Sequence, residues 1–400
     1  MHTAAHELLK QILKSEKYKL LIVATKSATL AAFLIPFAEH FRGKNWTVDA
    51  LAKNSVDNPD LHGVFDSLID IEWTRNPWNL KLLWSLIPKV KKIIQNTEYD
   101  IVHVHTPIAA FLTRLAISRI DSTARPAVIY TAHGFHFHKN GKYLPNMIFL
   151  LLEKLAGKWT DIIITINKDD YKSAVQNKLL HKDNIFLTPG IGVEPNHYQF
   201  QGPDNLLAAE LDLPAGSRLL LCISEFTKNK RHTDQVQALA KLNRKDVHLI
   251  FAGTGPTQPE VKKLVATLDL SSRVHFLGFR NDIGSLLSNS DAALLTSQRE
   301  GLPRSILEAF SSGTPVIGSR ARGTEDLLSN NCGLIVDIGD IEALSNAMDR
   351  ILGDPALAGN LRDNARTKLA EYSITNVLGI HEEIYNRVLS TKSGTRGSQH

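Results

Sequence analysis

Short apolar runs alternate along this chain with longer stretches whose apolar positions recur at helical spacing. Leu20–Ala24, Thr47–Ala52, Ile101–His105, Ala127–Thr131, Ile162–Ile166 and Ile185–Thr188 read as strands in the first half. Leu219–Ile223, His248–Ala252, Val274–Leu277, Ala292–Thr296 and Pro315–Gly318 read the same way in the second. The alternation of such runs with helical patterns predicts an α/β protein of parallel sheets covered by helices on both faces. The polar stretch Gln199–Ser217 separates the two series and reads as a linker. It places one domain at residues 1–200 and a second from 205 onward, the division expected of 400 residues, too many for one ordinary core.

Composition narrows the picture. With 43% hydrophobic and 22% charged residues the chain is globular, not disordered. An excess of 46 Lys and Arg over 41 Asp and Glu is mild; it suits anionic phosphates or an anionic membrane surface and is weak evidence for nucleic acid, which is not expected as a partner. Two cysteines, Cys222 and Cys332, fall in segments that read as buried strands or their ends. Without a CxxC pair or a signal-like stretch they point to the cytoplasm. No run reaches the roughly 20 apolar residues of a membrane span; the longest candidates are broken by Lys26 and Glu39, and by Glu153 and Lys154. Membrane attachment is expected to be peripheral, on the inner face of the plasma membrane.

The densest chemistry follows Asp291–Ser297, a buried strand running into the loop Gln298–Pro303 and a helix from Arg304 to Ser312. Pro303 suits the first helical turn, where its missing N–H has no partner to lose. In open α/β sheets ligands bind beyond the carboxyl ends of the strands, and a helix start there offers N–H groups and a positive dipole end to a diphosphate. Gly301 allows close backbone approach, with Leu302 beside it. Glu300 and Glu308 frame the site. Carboxylates accept from sugar and ribose hydroxyls, so if the diphosphate belongs to a nucleotide sugar, Glu300 is expected toward its sugar ring and Glu308 toward its ribose; solvated helix charges are the plainer reading.

The stretch Glu300-Gly301-Leu302-Pro303-Arg304-Ser305-Ile306-Leu307-Glu308, followed by Ser312-Gly313-Thr314-Pro315, resembles the E-x7-E signature of family 4 retaining glycosyltransferases of the GT-B fold. Gly190-Ile191-Gly192-Val193, Gly253-Thr254-Gly255-Pro256 and Phe276-Leu277-Gly278-Phe279-Arg280-Asn281-Asp282 follow the family's order. Tyr130–His138 is similar to the subgroup that builds bacterial capsular and exopolysaccharides. The resemblance implies two Rossmann-like domains facing across a cleft. The first would take the acceptor; the second, 205–373, the nucleotide sugar; a last helix, 374–390, would return to the first. It further implies metal-free hexosyl transfer with retention, without cofactor and without a protein nucleophile, from a UDP-linked donor to a glycan or polyprenyl-diphosphate-linked acceptor.

The basic loop Thr227-Lys228-Asn229-Lys230-Arg231 reads either as a solvated turn or as the cations that stabilise a departing diphosphate. By resemblance Lys230 is the family's Lys. Glu225 stands where the family has Arg, which leaves the second cation open between Lys228 and Arg231. Arg280, just past a strand, borders the base or belongs to a polar turn, and Gly253 is a ligand contact or a turn glycine.

In the first half, Leu20–Ala24 leads into a loop without the family's glycines, where Lys26, Ser27 and Thr29 bind polar groups or cap a helix. Histidines gather at strand ends: His103, His105, His133, His136 and His138. Zinc ligation, hydrogen-bonded core packing and sugar contact all stay open. By resemblance His133 reaches the donor sugar, Gly134 lies by the reacting centre, and Lys26, His105 and His136 are on the acceptor side. The segment Trp78–Lys92 interleaves aromatics with lysines, as a core-facing amphipathic helix or an anionic-membrane contact would. A GT-B epimerase and a silent nucleotide-sugar-binding scaffold are the alternatives to a transferase.

Overall fold

A computed structural model of the chain describes residues 18–73, 80–137, 141–199, 202 and 206–397. They form two compact units. One comprises the residues up to Ile166, Asp170–Ile191 and those from Leu378 on; the other comprises Asn167–Asp169 and Gly192–Val377.

The first unit holds a seven-stranded parallel sheet: β1 (Lys19–Lys26), β2 (Thr47–Lys53), β3 (Ser67–Asp70), β4 (Ile101–Val104), β5 (Ala127–Ala132), β6 (Ile162–Thr165) and β7 (Ile185–Leu187). Their order is β3-β2-β1-β4-β5-β6-β7. The second unit holds a six-stranded parallel sheet: β8 (Arg218–Ile223), β9 (Val247–Ala252), β10 (Val274–Gly278), β11 (Ala292–Leu295), β12 (Val316–Ser319) and β13 (Leu334–Val336), in the order β10-β9-β8-β11-β12-β13. Both orders reverse beside the first strand, between β1 and β4 and between β8 and β11, as in doubly wound sheets.

Burial on both faces explains why the central strands are apolar throughout. Along β8, Leu219 and Leu221 enter one core layer with Ile306 and Phe310, while Leu220 and Cys222 enter the other with Val236 and Phe251. The period-two alternation of a strand thus feeds two layers at once. Strands β3 and β13 escaped sequence reading because each is a short edge strand; Ser67-Leu68-Ile69-Asp70 offers only two apolar residues.

The two units change over at Ile191 and Gly192, ahead of the stretch read as a linker. That stretch carries a short helix, Leu206–Glu210, whose Leu207 is buried in the second unit's core. Cys222 and Cys332 are both buried and free, and Cys332 lies in a turn before β13, not in a strand. The last helix runs from Ile374 to Gly397, past the 390 expected from sequence. No helix among the described residues is long and apolar enough to cross a membrane.

Candidate active site

The pairing of β8 with β11 runs only through Leu220–Ala292 and Leu221–Ala293. Beyond it the strand ends diverge, and buried Gln235 fills the gap: its amide donates to Thr296 Oγ1 at 2.9 Å and lies 3.4 Å from Cys222 Sγ. Thr296 in turn donates to the carbonyls of Lys230 (3.0 Å) and Arg231 (3.2 Å). Asn229 Nδ2 donates to Arg299 O at 3.0 Å, and Gln298 N donates to Asn229 O at 2.8 Å. These bonds stitch the loop after β8 to the loop after β11. They hold Arg231 in the left-handed region, at φ 50°, a conformation that costs a non-glycine residue energy and concentrates at functional sites.

The outcome is an ion pair. Lys230 Nζ donates to Glu300 Oε1 at 2.6 Å, with the side chains 22% and 12% exposed. An ammonium has three N–H donors, so Glu300 fixes one and leaves the others for a second anion. Glu300 O also accepts from Arg322 Nε at 3.1 Å.

Pro303 sits at the cap position, one residue before the helix Arg304–Ser312 and not in its first turn; its φ of −73° still suits the approach to a helix. Gly313, at φ 72°, ends that helix in the left-handed cap. Inside it, Glu308 accepts from the Tyr198 hydroxyl at 3.0 Å, and Arg304 Nε lies 3.2 Å away. Arg304 Nη2 donates to the same hydroxyl at 3.0 Å. Burial raises the Glu308 carboxyl above its ordinary range, opposed by Arg304 and Tyr198.

Glycine placement explains the loop's path. A Cβ on Gly323 would meet Gly301 O at 1.9 Å, so the helix Arg322–Leu328 can approach the Glu300–Pro303 loop only because position 323 is glycine. Gly301 O also accepts from Asn167 Nδ2 at 3.2 Å, and Leu302 packs against the core layer below. Gly253 is likewise explained by packing: its φ is 150°, and a Cβ there would meet Ser224 O at 2.1 Å.

Two family descriptions match this chain: "Glycosyltransferase Family 4" over residues 31–190 and "Glycosyl transferases group 1" over 205–368. The chain belongs to the family 4 glycosyltransferases of the GT-B fold. EpsD of Bacillus subtilis, named as a glycosyltransferase without a stated donor or acceptor, is 29% identical over 92% of this chain and 96% of its own. The Escherichia coli UDP-Gal:alpha-D-GlcNAc-diphosphoundecaprenol alpha-1,3-galactosyltransferase is 28% identical over 74% of this chain and 76% of its own. Among solved structures, Anabaena HepE in complex with UDP superposes with a TM-score of 0.76 at 21% identity, covering 94% of this chain and all of HepE. A glycosyltransferase of Rickettsia africae gives 0.77 at 22%, covering 94% of this chain and 99% of its own.

The nearby arginines of this glycosyltransferase are already engaged. Arg231 forks onto Asp234 at 2.5 and 3.0 Å. Arg280 binds Asp282 and Glu210 bidentately, with contacts from 2.5 to 3.1 Å. Lys228 and Glu225 are exposed.

In the first unit the strand ends beside the reversal carry threonines and histidines, together with the cation Lys26. Thr25 N and Oγ1 both contact Thr106 Oγ1, at 2.8 and 2.6 Å, across the β1–β4 reversal. Lys26 is exposed and precedes the helix Ser27–Phe33 without a side-chain cap. His103 is a core histidine: its Nδ1 lies 2.5 Å from the Tyr385 hydroxyl and its Nε2 2.7 Å from Thr131 Oγ1. His105 Nδ1 lies 3.2 Å from His133 Nε2, while its buried Nε2 has no partner among the described residues. Burial, then His381, pushes the half-buried His133 imidazole down to about 4; burial and the neighbouring rings hold His103 and His105 well below the ordinary value. Gly134 has φ 126°, and His136 is exposed against the Phe149 ring at 5.1 Å. Among the described residues no group of three His, Cys, Asp or Glu is arranged to hold a metal; His138 lies outside them.

Tyr198, Asn167 and Gly323 were not singled out from sequence. A glycine in the opening turn of a helix is a signal of close approach that was there to be read; Tyr198 lies 110 residues from its partner Glu308 and carries no such signal.

Proposed function

We propose that this enzyme transfers a hexosyl group from a UDP-linked sugar to a hydroxyl of a glycan or polyprenyl-diphosphate-linked acceptor, with retention and without a metal, in surface polysaccharide assembly. The Lys230–Glu300 pair at the β8–β11 reversal carries the reading. Lys230 keeps N–H donors for the leaving diphosphate, and Glu300 accepts from the donor sugar's hydroxyls. The start of the helix Arg304–Ser312 puts the positive end of a helix dipole where phosphate oxygens would lie. Glu308, oriented by Tyr198, takes the ribose. His133, kept neutral by burial, bonds the sugar as donor or acceptor without bringing a charge, beside Gly134. Lys228 is the second cation, since Arg231 is committed to Asp234. Lys26, His105 and His136 serve the acceptor side. The undecaprenol-linked acceptor in the E. coli relative's name and the UDP in the HepE complex support the substrate classes.

The test is product analysis. Purified enzyme incubated with UDP-hexoses and a polyprenyl-diphosphate sugar should yield a new glycosidic bond, with the donor's anomeric configuration seen by NMR. Epimerised donor without transfer would make the chain an epimerase; binding without turnover would make it a silent scaffold.

A further inference from the structure

The helix Tyr143–Gly157 wears its apolar side outward. Asn146, Leu150 and Glu153 turn toward the protein, where the Glu153 carboxylate accepts from Arg114 Nη2 at 3.0 Å and from the Tyr130 hydroxyl at 3.2 Å. On the opposite side Leu144, Met147, Ile148, Leu151, Leu152 and Leu155 recur at i, i+3, i+4, i+7, i+8 and i+11, all exposed. Tyr143, 82% exposed, and Phe149 widen this stripe on either side. A surface helix in water has the reverse arrangement, and an apolar patch of this extent marks a surface that works against something else.

Charge tells what that is. Lys142 before the helix, Lys154 in its last turn and Lys158 just beyond it are exposed, while the helix's one carboxylate is turned inward to Arg114. The helices Leu80–Thr97 and Pro107–Ile117 lie in the same layer over the first sheet, each packed on the next. The outward residues of Leu80–Thr97 include Lys81, Lys89 and Lys92, and Trp84, with the Arg119 guanidinium 5.9 Å over its ring. Cations flanking an apolar stripe, with an aromatic at the edge, match the polar boundary of an anionic bilayer. A protein groove reads three or four anchors along one line; here the apolar arc covers more than half the helix. At about 1.5 Å per residue, fifteen residues reach roughly 22 Å, short of the ~30 Å hydrocarbon core.

We infer that this face docks on an anionic lipid bilayer, with the helix Tyr143–Gly157 lying in the plane of the interface. This extends the reading of a lipid-linked acceptor without depending on the donor chemistry. Of the segment Trp78–Lys92, named from sequence for membrane contact, residues 78 and 79 lie outside the described residues; its lysines rim the surface, and the apolar body of the contact is the helix Tyr143–Gly157.

The full chain, with neither donor nor acceptor, is sedimented with vesicles of phosphatidylcholine alone or mixed with phosphatidylglycerol. It should pellet with the mixed vesicles and less with the neutral ones. Replacing both Ile148→Gln and Leu151→Gln should weaken binding about tenfold or more at an unchanged melting temperature. Tyr143→Ser, at the most exposed position of the patch, is the second variant and should weaken it in the same direction. Lys142→Gln with Lys154→Gln should remove much of the preference for phosphatidylglycerol. Wild-type protein left in the supernatant would overturn the inference. So would both sets of apolar variants binding like wild type, or a lipid-free dimer that the double variant turns into monomers, which would assign the face to a second copy.

Discussion

The two sheets reverse their strand order at the same place and put different chemistry there. Between β1 and β4 the strand ends carry paired threonines, the exposed Lys26 and His105, which burial holds neutral. Between β8 and β11 they carry a lysine–glutamate pair with hydrogen-bonding capacity to spare. One topology supplies a position; the loops decide which side chains it presents. The contrast in loop length makes this possible. β1 passes straight into the helix Ser27–Phe33, whereas eight residues separate β8 from the helix His232–Lys241 and bring Lys230 round to Glu300.

The comparison breaks most visibly at Lys230. Lys230→Ala should lower kcat/KM by about two to three orders of magnitude with the fold intact by circular dichroism, and Lys228→Ala by much less; equal losses would make the site a diffuse basic patch. Acid should separate the units next. His133 titrates near 4 in the folded chain against 6.5 ordinarily, with His103 and His105 also depressed. The unfolded chain therefore binds more protons between those values, and stability falls as pH drops from about 6.5 toward 4. In the second unit burial lowers His232 to about 4 and also lowers His248 and His275, but only His232 by a large margin. Hydrogen exchange at pH 5 against pH 7 should rise more in β4 and β5 than in β8 and β9.

Smaller changes sharpen the second unit alone. Gly323→Ala should cost about 1–3 kcal/mol in thermal unfolding by forcing the Gly301 carbonyl away, whereas Gly359→Ala, inside a helix with open space around it, should stabilise by about 0.5–1 kcal/mol. Tyr198→Phe deprives Glu308 of a donor and should raise the donor KM about fivefold, with kcat little changed. Arg280→Gln should matter least, about 0.5 kcal/mol or below by denaturant unfolding; a tenfold loss in kcat/KM would mean its guanidinium leaves Asp282 and Glu210 for substrate.

Much of the fold was legible because parallel strands buried on both faces declare themselves as apolar runs. Edge strands do not, and β3 and β13 went unread. At the site, Glu300, Glu308 and Lys230 were each visible as residue types in suggestive loops. That Lys230 bonds Glu300 across 70 residues was not, since loops carry no periodicity from which a contact can be read. Arg231 and Arg280 looked as available as Lys230 until their carboxylate partners were seen. The helix Tyr143–Gly157 shows a different limit: when nearly every position is apolar, the pattern cannot say which side faces in.

The last helix has a consequence for synthesis. Its first residues group with the second unit and those from Leu378 with the first, where Tyr385 meets His103 and His381 packs edge-on to Phe37 at 4.9 Å. The first unit to leave the ribosome is therefore the last to be finished. Until Tyr385 arrives, its sheet exposes a core histidine without its partner, while the second unit, apart from Asn167–Asp169, is already continuous. A chain truncated before residue 378 and released should yield a second unit that resists protease beside a first that does not.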